Sequence, residues 1–246
     1  MTHETTLEKM QQMKLTGMLR AFKQTTETHF AHNFTTDELL GYLIDAEWED
    51  RHNRKLNRLM SNARFRYRAS IEQIDFTQSR ELDKNLLLRL AGCEWLRKAE
   101  NVLITGATGT GKSFIASALG HQACTEGFRV LYFNSLKLFS KLKFAKAEGT
   151  YDKELKKIKQ QNLLILDDFG LHPIDEQSKL ILLELLEDRY GETSTLIASQ
   201  FPSQSWYEMI NNPTVADAIL DRLVHNSHQI QLKGDSMRKT IKNNSG

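Results

Sequence analysis

Asn101-Val-Leu-Ile-Thr-Gly-Ala-Thr-Gly-Thr-Gly-Lys-Ser113 is the stretch that decides the fold of this 246-residue chain. An apolar run passes into a loop with three glycines, and Lys112 and Ser113 open the segment beyond it. From Gly106 to Ser113 the pattern is G-x-x-x-x-G-K-[ST], in which each fixed position has a phosphate-binding task. Gly106, Gly109 and Gly111 let the backbone turn tightly, so that its N–H groups face an anion. A helix starting near Lys112 adds its positive dipole end. The ammonium of Lys112 is expected on the β- and γ-phosphates, and the Ser113 hydroxyl on Mg²⁺. The expected nucleotide-binding segment is therefore Gly106, Ala107, Thr108, Gly109, Thr110, Gly111, Lys112 and Ser113, with Phe114 directly after.

Leu163-Leu-Ile-Leu-Asp167-Asp168 supplies a second motif. A continuous apolar run of this kind reads as a strand buried on both faces. A carboxylate at the tip of such a strand is where a phosphate-loop fold needs its metal partner, so Asp167 is expected to join Ser113 at Mg²⁺. Asp168 is the candidate base or water-orienting group for hydrolysis, one methylene shorter than a Glu, which suits a slow ATPase. The apolar run Thr195-Leu-Ile-Ala-Ser199-Gln200 ends in two polar residues, either of which could sense the γ-phosphate or the attacking water.

Around these motifs strand and helix patterns alternate. Strands are expected over 101–105, 129–134, 163–168 and 195–200, with a short one over 228–233. Helices are expected over 112–126, 135–147, 176–190, 204–210 and 215–226. The alternation predicts an α/β fold whose parallel sheet is flanked by helices. Ahead of it, residues 6–28 and the stretch from a capping box at Thr35 and Glu38 to about Met60 show helical spacing, as do 83–99. The expected organisation is a small all-helical domain over 1–70 and an ATPase domain over 71–246.

Composition excludes several other classes. The chain is 40% hydrophobic and 26% charged, with a net charge of +2, which is ordinary for a globular protein. Cys93 and Cys124 have no C-x-x-C spacing, which argues against a disulfide framework or zinc site and fits a reducing cytoplasm. The N-terminus has no apolar signal region, and no run approaches a membrane span.

Arginines and lysines carry the remaining signals. Arg222 lies on a mostly apolar helical pattern, as either a surface ion-pair partner of Asp217 or Asp221 or a finger projecting into a neighbouring subunit's nucleotide site. Arg238, in Gly234-Asp-Ser-Met-Arg238, could contact phosphates in its own or an adjacent site. With eight residues after it in the sequence, a C-terminal helical lid domain is not expected. Residues 51–68 hold seven Lys/Arg and no acid, with Phe65 and Tyr67 interleaved, and residues 137–159 are rich in lysine. Both are candidate contacts to the backbone of double-stranded DNA.

Taken together, these residues resemble the IstB-type helper ATPases of bacterial insertion sequences, in the AAA+ branch shared with DnaC helicase loaders and the DnaA initiator. The resemblance runs through Leu7-Glu-Lys-Met-Gln-Gln-Met-Lys-Leu-Thr-Gly-Met18, Glu47-Trp-Glu-Asp-Arg51, the loop, Leu163-Leu-Ile-Leu-Asp-Asp-Phe-Gly-Leu171, Ser199-Gln-Phe-Pro202, Ile219-Leu-Asp-Arg-Leu223 and Gly234-Asp-Ser-Met-Arg238. It implies an AAA+ core, ATP with Mg²⁺, and Arg222 acting in trans. It also implies a sensor role for Ser199 or Gln200, a phosphate contact at Arg238, homo-oligomers formed on DNA, and a transposase partner. The alternative role within that branch is a DnaC-like loader of a replicative helicase. A metabolic phosphate-loop kinase is the rival from another class, and the basic stretches weigh against it.

Overall fold

The structure, a computed structural model, describes residues 3–28, 34–76, 80–234 and 236–237. Its contacts divide the chain into Met1–Arg58 and Leu59–Gly246. Arg66 and Tyr67, read above within the N-terminal segment, thus pack with the second unit.

Three helices build the first unit: α1 (His3–Gln12), α2 (Thr16–Glu27) and the leading part of α3 (Thr36–Ala63). The helical spacing over 6–28 is real but interrupted, because Lys14 takes a left-handed φ of 58° and splits the run into α1 and α2. Glu47 on α3 is buried, and its Oε2 accepts from the N–H groups of Gly17 (2.9 Å) and Met18 (3.2 Å). It thereby satisfies donors that the first turn of α2 leaves open. The two helices approach so closely that a Cβ on Gly17 would stand 2.2 Å from the Ala46 carbonyl oxygen. At the start of α3, Thr35 and Glu38 form the expected reciprocal cap.

In the second unit, α4 (Lys84–Ala91) and α5 (Glu94–Arg97) precede a five-stranded sheet. They too replace one expected helix, broken at Cys93, whose φ is 59°. The strands are β1 (Asn101–Gly106), β2 (Val130–Asn134), β3 (Leu163–Phe169), β4 (Ser194–Ser199) and β5 (Ser227–Leu232). They pair in the order β2-β3-β4-β1-β5, all parallel. The helices between them are α6 (Lys112–Thr125), α7 (Ser135–Ala147), α8 (Tyr151–Lys159), α9 (Glu176–Glu187), α10 (Trp206–Ile210) and α11 (Pro213–Val224). Sequence spacing did not anticipate α8, whose buried Leu155 and Ile158 sit among lysines.

Strand residues are apolar without alternation because both faces are covered. Leu103, Leu164, Leu166 and Ile197 enter a core with Leu138, Leu182, Trp206 and Ile219 from the helices on one side. On the other side α6 lies so close that a Cβ on Gly120 would meet the Ile165 side chain at 2.8 Å. Arg189, beyond the end of α9, is buried and donates to the carbonyls of Ile158, Gln161 and Ser194 and to Thr195 Oγ1. It thus ties the end of α8 to the start of β4.

Parallel pairing places the C-terminal ends of all five strands along one edge, and β1 is joined to β4 rather than to β2. In open α/β sheets this edge is where ligands bind.

Candidate nucleotide-binding site

The loop between β1 and α6 is shaped by glycine at two positions in particular. Gly106 lies against β5, where a Cβ would stand 2.3 Å from the Leu232 carbonyl oxygen. Gly111 adopts a φ of 97° as the residue capping α6, a conformation that other residues rarely take. Lys112 is buried, and its Nζ donates to the carbonyls of Gly106 and Ala107, each at 2.7 Å. The loop also pairs with the segment after β5, since Met237 N–H donates to Gly109 O at 2.9 Å. Arg238, the following residue, lies outside the described residues.

Asp167 is 1% exposed at the end of β3, and each of its oxygens is engaged. Ser113 Oγ donates to Oδ1 at 2.9 Å, while Tyr132 Oη and Arg66 Nη1 donate to Oδ2 at 2.5 and 3.1 Å. Burial, followed by the Asp167 carboxylate, pushes the Tyr132 hydroxyl above its ordinary pKa, so it remains a donor. Asp168 breaks the strand geometry. Its φ is 55°, and the β3–β4 register shifts between Leu166 and Phe169. Aspartate tolerates this left-handed conformation better than most residues, and such strain is concentrated at functional sites. The Asp168 carboxylate accepts from Asn134 Nδ2 and from Arg66 Nη1, both at 3.0 Å.

The two candidate sensors part company. Gln200 Oε1 accepts from Thr108 Oγ1 at 2.7 Å and lines the cavity over the loop. Ser199 is fully buried; its Oγ donates to Phe169 O at 2.8 Å and accepts from the Phe201 N–H at 3.1 Å. It braces the end of β4 against β3.

The cavity measures about 320 Å³. One wall is the loop with Ser113 and Phe114, and Asp168 and Gln200 lie at its edge. Arg66, Tyr67, the segment Gln73–Asp75 and Arg80 also line the cavity. Tyr67 and Phe114 hold their rings 6.2 Å apart. Arg80 is buried, and its Nη1 reaches the Thr110 carbonyl at 3.4 Å, so it braces the loop. A larger open concavity of about 780 Å³ runs along α11 and includes Asp217, Asp221 and Arg222, but no residue of the loop lines it.

Arg222 does not line the loop cavity. Its guanidinium pairs with Glu187, rather than with Asp217 or Asp221, and donates to Ala218 O at 2.8 Å. The basic stretches also divide. Arg51, Arg54, Lys55 and Arg58 join Lys14 around a concavity of about 500 Å³ within the first unit. Arg51 and Arg54 are also paired there with Glu47 and Asp50. Among the lysines of 137–159, Lys141 and Lys157 share Glu154, Lys143 pairs with Asp175 and Lys159 with Asp188. Lys137, Lys153 and Lys156 have no ion pair among the described residues.

Arg66, Arg80, Tyr132 and Asn134 were absent from the sequence-based site. Tyr132 and Asn134 had a usable signal, since they are polar groups two residues apart on one face of the strand that leads to the same sheet edge. Arg66 had none, lying 101 residues from Asp167 in the chain.

Mg²⁺ fits this donor set. Ser113 and Asp167 bring a hydroxyl and a carboxylate together from different elements. Mg²⁺ in nucleotide sites takes one or two protein oxygens, with phosphates and water completing the shell.

A parallel sheet of this order, carrying a glycine loop after β1 and two carboxylates at the tip of β3, defines a phosphate-loop nucleotide-binding protein. The chain belongs to the family described as IstB-like ATP binding protein, which it matches over residues 8–245. It is 44% identical over 234 residues to y4pL of Sinorhizobium fredii, named as an insertion sequence ATP-binding protein, covering 95% of this chain and 96% of that one. It is likewise 44% identical over 239 residues to the similarly named y4uH of the same organism, covering 97% and 96%. Among solved structures the fold is similar to DnaI, with a TM-score of 0.59 and 19% identity over 72% of this chain and 93% of that one. It is also similar to AMPPCP-bound DnaA from Aquifex aeolicus, with a TM-score of 0.52 and 20% identity over 65% of this chain and 49% of that one. No helix among the described residues is long and apolar enough to cross a membrane.

Proposed function

We propose that this protein is a Mg²⁺-dependent ATPase that assembles on target DNA with ATP and recruits or stimulates a transposase. The observation that carries the hydrolytic reading is the meeting of Ser113, Asp167 and Asp168 beside Lys112 at the edge of one sheet. The transposition context is supported by the insertion-sequence names of the relatives.

In this reading the N–H groups of residues 106–113 and the ammonium of Lys112 hold the phosphates of ATP. Ser113 and Asp167 hold Mg²⁺, which supplies neutralisation of charge on the phosphate oxygens. Asp168 orients the attacking water and accepts its proton, while Gln200 sits where it senses the γ-phosphate. A neighbouring subunit supplies Arg222 in trans to stabilise the charge of the transition state. That assignment is supported by the position of Arg222 away from its own chain's loop cavity. Unpaired cations of the two basic stretches contact the phosphates of double-stranded DNA, and the N-terminal helices assist assembly. ATP therefore acts as a timer for a complex.

The test is a pull-down combined with DNA binding across salt concentrations. Capture of the transposase, with ATP-dependent and salt-sensitive duplex binding, supports the reading. Capture of a replicative helicase, with preference for single-stranded DNA, would support a DnaC-like loader and overturn it.

A further inference from the structure

Arg66 occupies an unusual position for a residue of a basic stretch. The chain leaves α3 at Arg64, which has a φ of 58°, and two residues later a single guanidinium nitrogen bridges both carboxylates at the tip of β3. Those carboxylates are the pair assigned above to Mg²⁺ and the attacking water. The Arg66 side chain is 41% exposed, so it can leave without opening the core. Nor does its departure leave Asp167 or Asp168 without a protein donor, because Ser113 and Tyr132 still serve Asp167 and Asn134 still serves Asp168. The same segment carries Tyr67, whose ring lies 6.2 Å from that of Phe114, and runs on to Gln73–Asp75 in the cavity wall.

A guanidinium and a divalent cation on one carboxylate pair repel each other, and each must weaken the binding of the other by the same factor. We propose that Arg66 competes with Mg²⁺ for the Asp167–Asp168 pair, so that loading of Mg²⁺ with nucleotide frees Arg66 and loosens the cavity wall over residues 66–76. This rests on the reading of the loop as a Mg²⁺–ATP site. The competition makes Arg66 a positioning residue: it holds the carboxylates in place and passes site occupancy to the segment that leads out of α3.

The test uses the full chain and a fluorescent non-hydrolysable ATP analogue, titrated with Mg²⁺. Arg66→Ala should lower the Mg²⁺ concentration for half-maximal analogue binding about tenfold, within the usual range for coupled sites. Arg66→Lys, which keeps the charge, should retain most of the wild-type requirement. An unchanged or raised requirement in Arg66→Ala, with normal wild-type binding, overturns the competition alone. A wild-type chain that binds no analogue overturns the ATP-site reading as well. Hydrogen exchange on the wild-type chain is the independent check. Amides of 66–76 should exchange faster with Mg²⁺ and analogue than with analogue and chelator, and equal rates contradict the proposal.

Discussion

Ser113 Oγ and Asp167 Oδ1 lie 2.9 Å apart, although 54 residues separate them in the chain. The contact joins the first turn of α6 to the tip of β3 and, in the proposed ATPase, would set where a metal-held phosphate sits relative to Asp168. Ser113→Ala and Asp167→Asn should each reduce the ATPase rate at least about a hundredfold, in keeping with loss of charge stabilisation at the reacting phosphate. Ser113→Ala should also raise the Mg²⁺ concentration needed for half-maximal rate. Steady-state rates against Mg²⁺ concentration check both, and a Ser113→Ala chain with the wild-type curve would remove the hydroxyl from the metal site.

Mixing two inactive variants should restore activity. Lys112→Ala chains lack a working loop but carry Arg222, and Arg222→Ala chains have the reverse defect. If Arg222 acts in trans, an equimolar mixture on DNA gives a measurable fraction of the wild-type ATPase rate, while either variant alone is down about a thousandfold or more, as for other arginine fingers. A mixture no faster than its components would show that Arg222 does not act in trans. Its pairing with Glu187 adds a detail, for that pair must open if the arginine is to serve a neighbour.

The N-terminal helices are open to a separate test. Gly17→Ala drives a methyl group into the α3 backbone, and Glu47→Gln removes the charge at the start of α2. Gly17→Ala should destabilise the unit by about 1–3 kcal/mol as an overpacking change. Glu47→Gln should cost about 0.5–2 kcal/mol, the range for a lost helix cap. Limited proteolysis within 1–58 reads both effects.

The loop and the β3 carboxylates were legible in the sequence because each is a run of adjacent residues with fixed chemistry. Sheet order was not, since nothing within β1 records that β4 rather than β2 lies beside it. Helix breaks at Lys14 and Cys93 were hidden for a different reason. Apolar spacing continues across both, and a single left-handed residue leaves no trace in periodicity. The rest of the cavity lining was missed because Arg66 and Tyr67 sit in a stretch whose charge suggested DNA contact. Their role depends on a chain path that brings residue 66 back to residue 167.

Cys93 and Cys124 should be inert in the folded chain. Burial pushes their thiols up to about 11 and about 12, so the reactive thiolate is scarce at any pH where the protein is handled. The sign is clear, since a raised thiol pKa means labelling that stays low through pH 8 and rises only with unfolding. Iodoacetamide labelling followed by mass spectrometry, with and without urea, measures it. Rapid labelling of either cysteine in native buffer at pH 8 would contradict the buried placement.

Asp175 offers a pH test of the ion pairs beyond β3. Lys143 and then the Ser178 N–H hold its carboxyl down to about 2 from an ordinary value of 3.8. A carboxylate depressed in the folded state stabilises it above pH 4 and ceases to do so as pH falls toward 2. Asp175→Asn should therefore lower the melting temperature at pH 6 and narrow its difference from wild type as pH falls below 4. A difference that widened in acid would reverse the assignment.

The most direct test of ATP as a switch for assembly is analytical ultracentrifugation of the protein with a duplex of defined length, in the presence and absence of ATP and Mg²⁺. Wild-type chains should form multi-subunit complexes on the duplex only when ATP and Mg²⁺ are present, and Lys112→Ala chains should form none. Lys112→Ala chains assembling on DNA as fully as wild type, or wild-type assembly indifferent to nucleotide, would contradict the account.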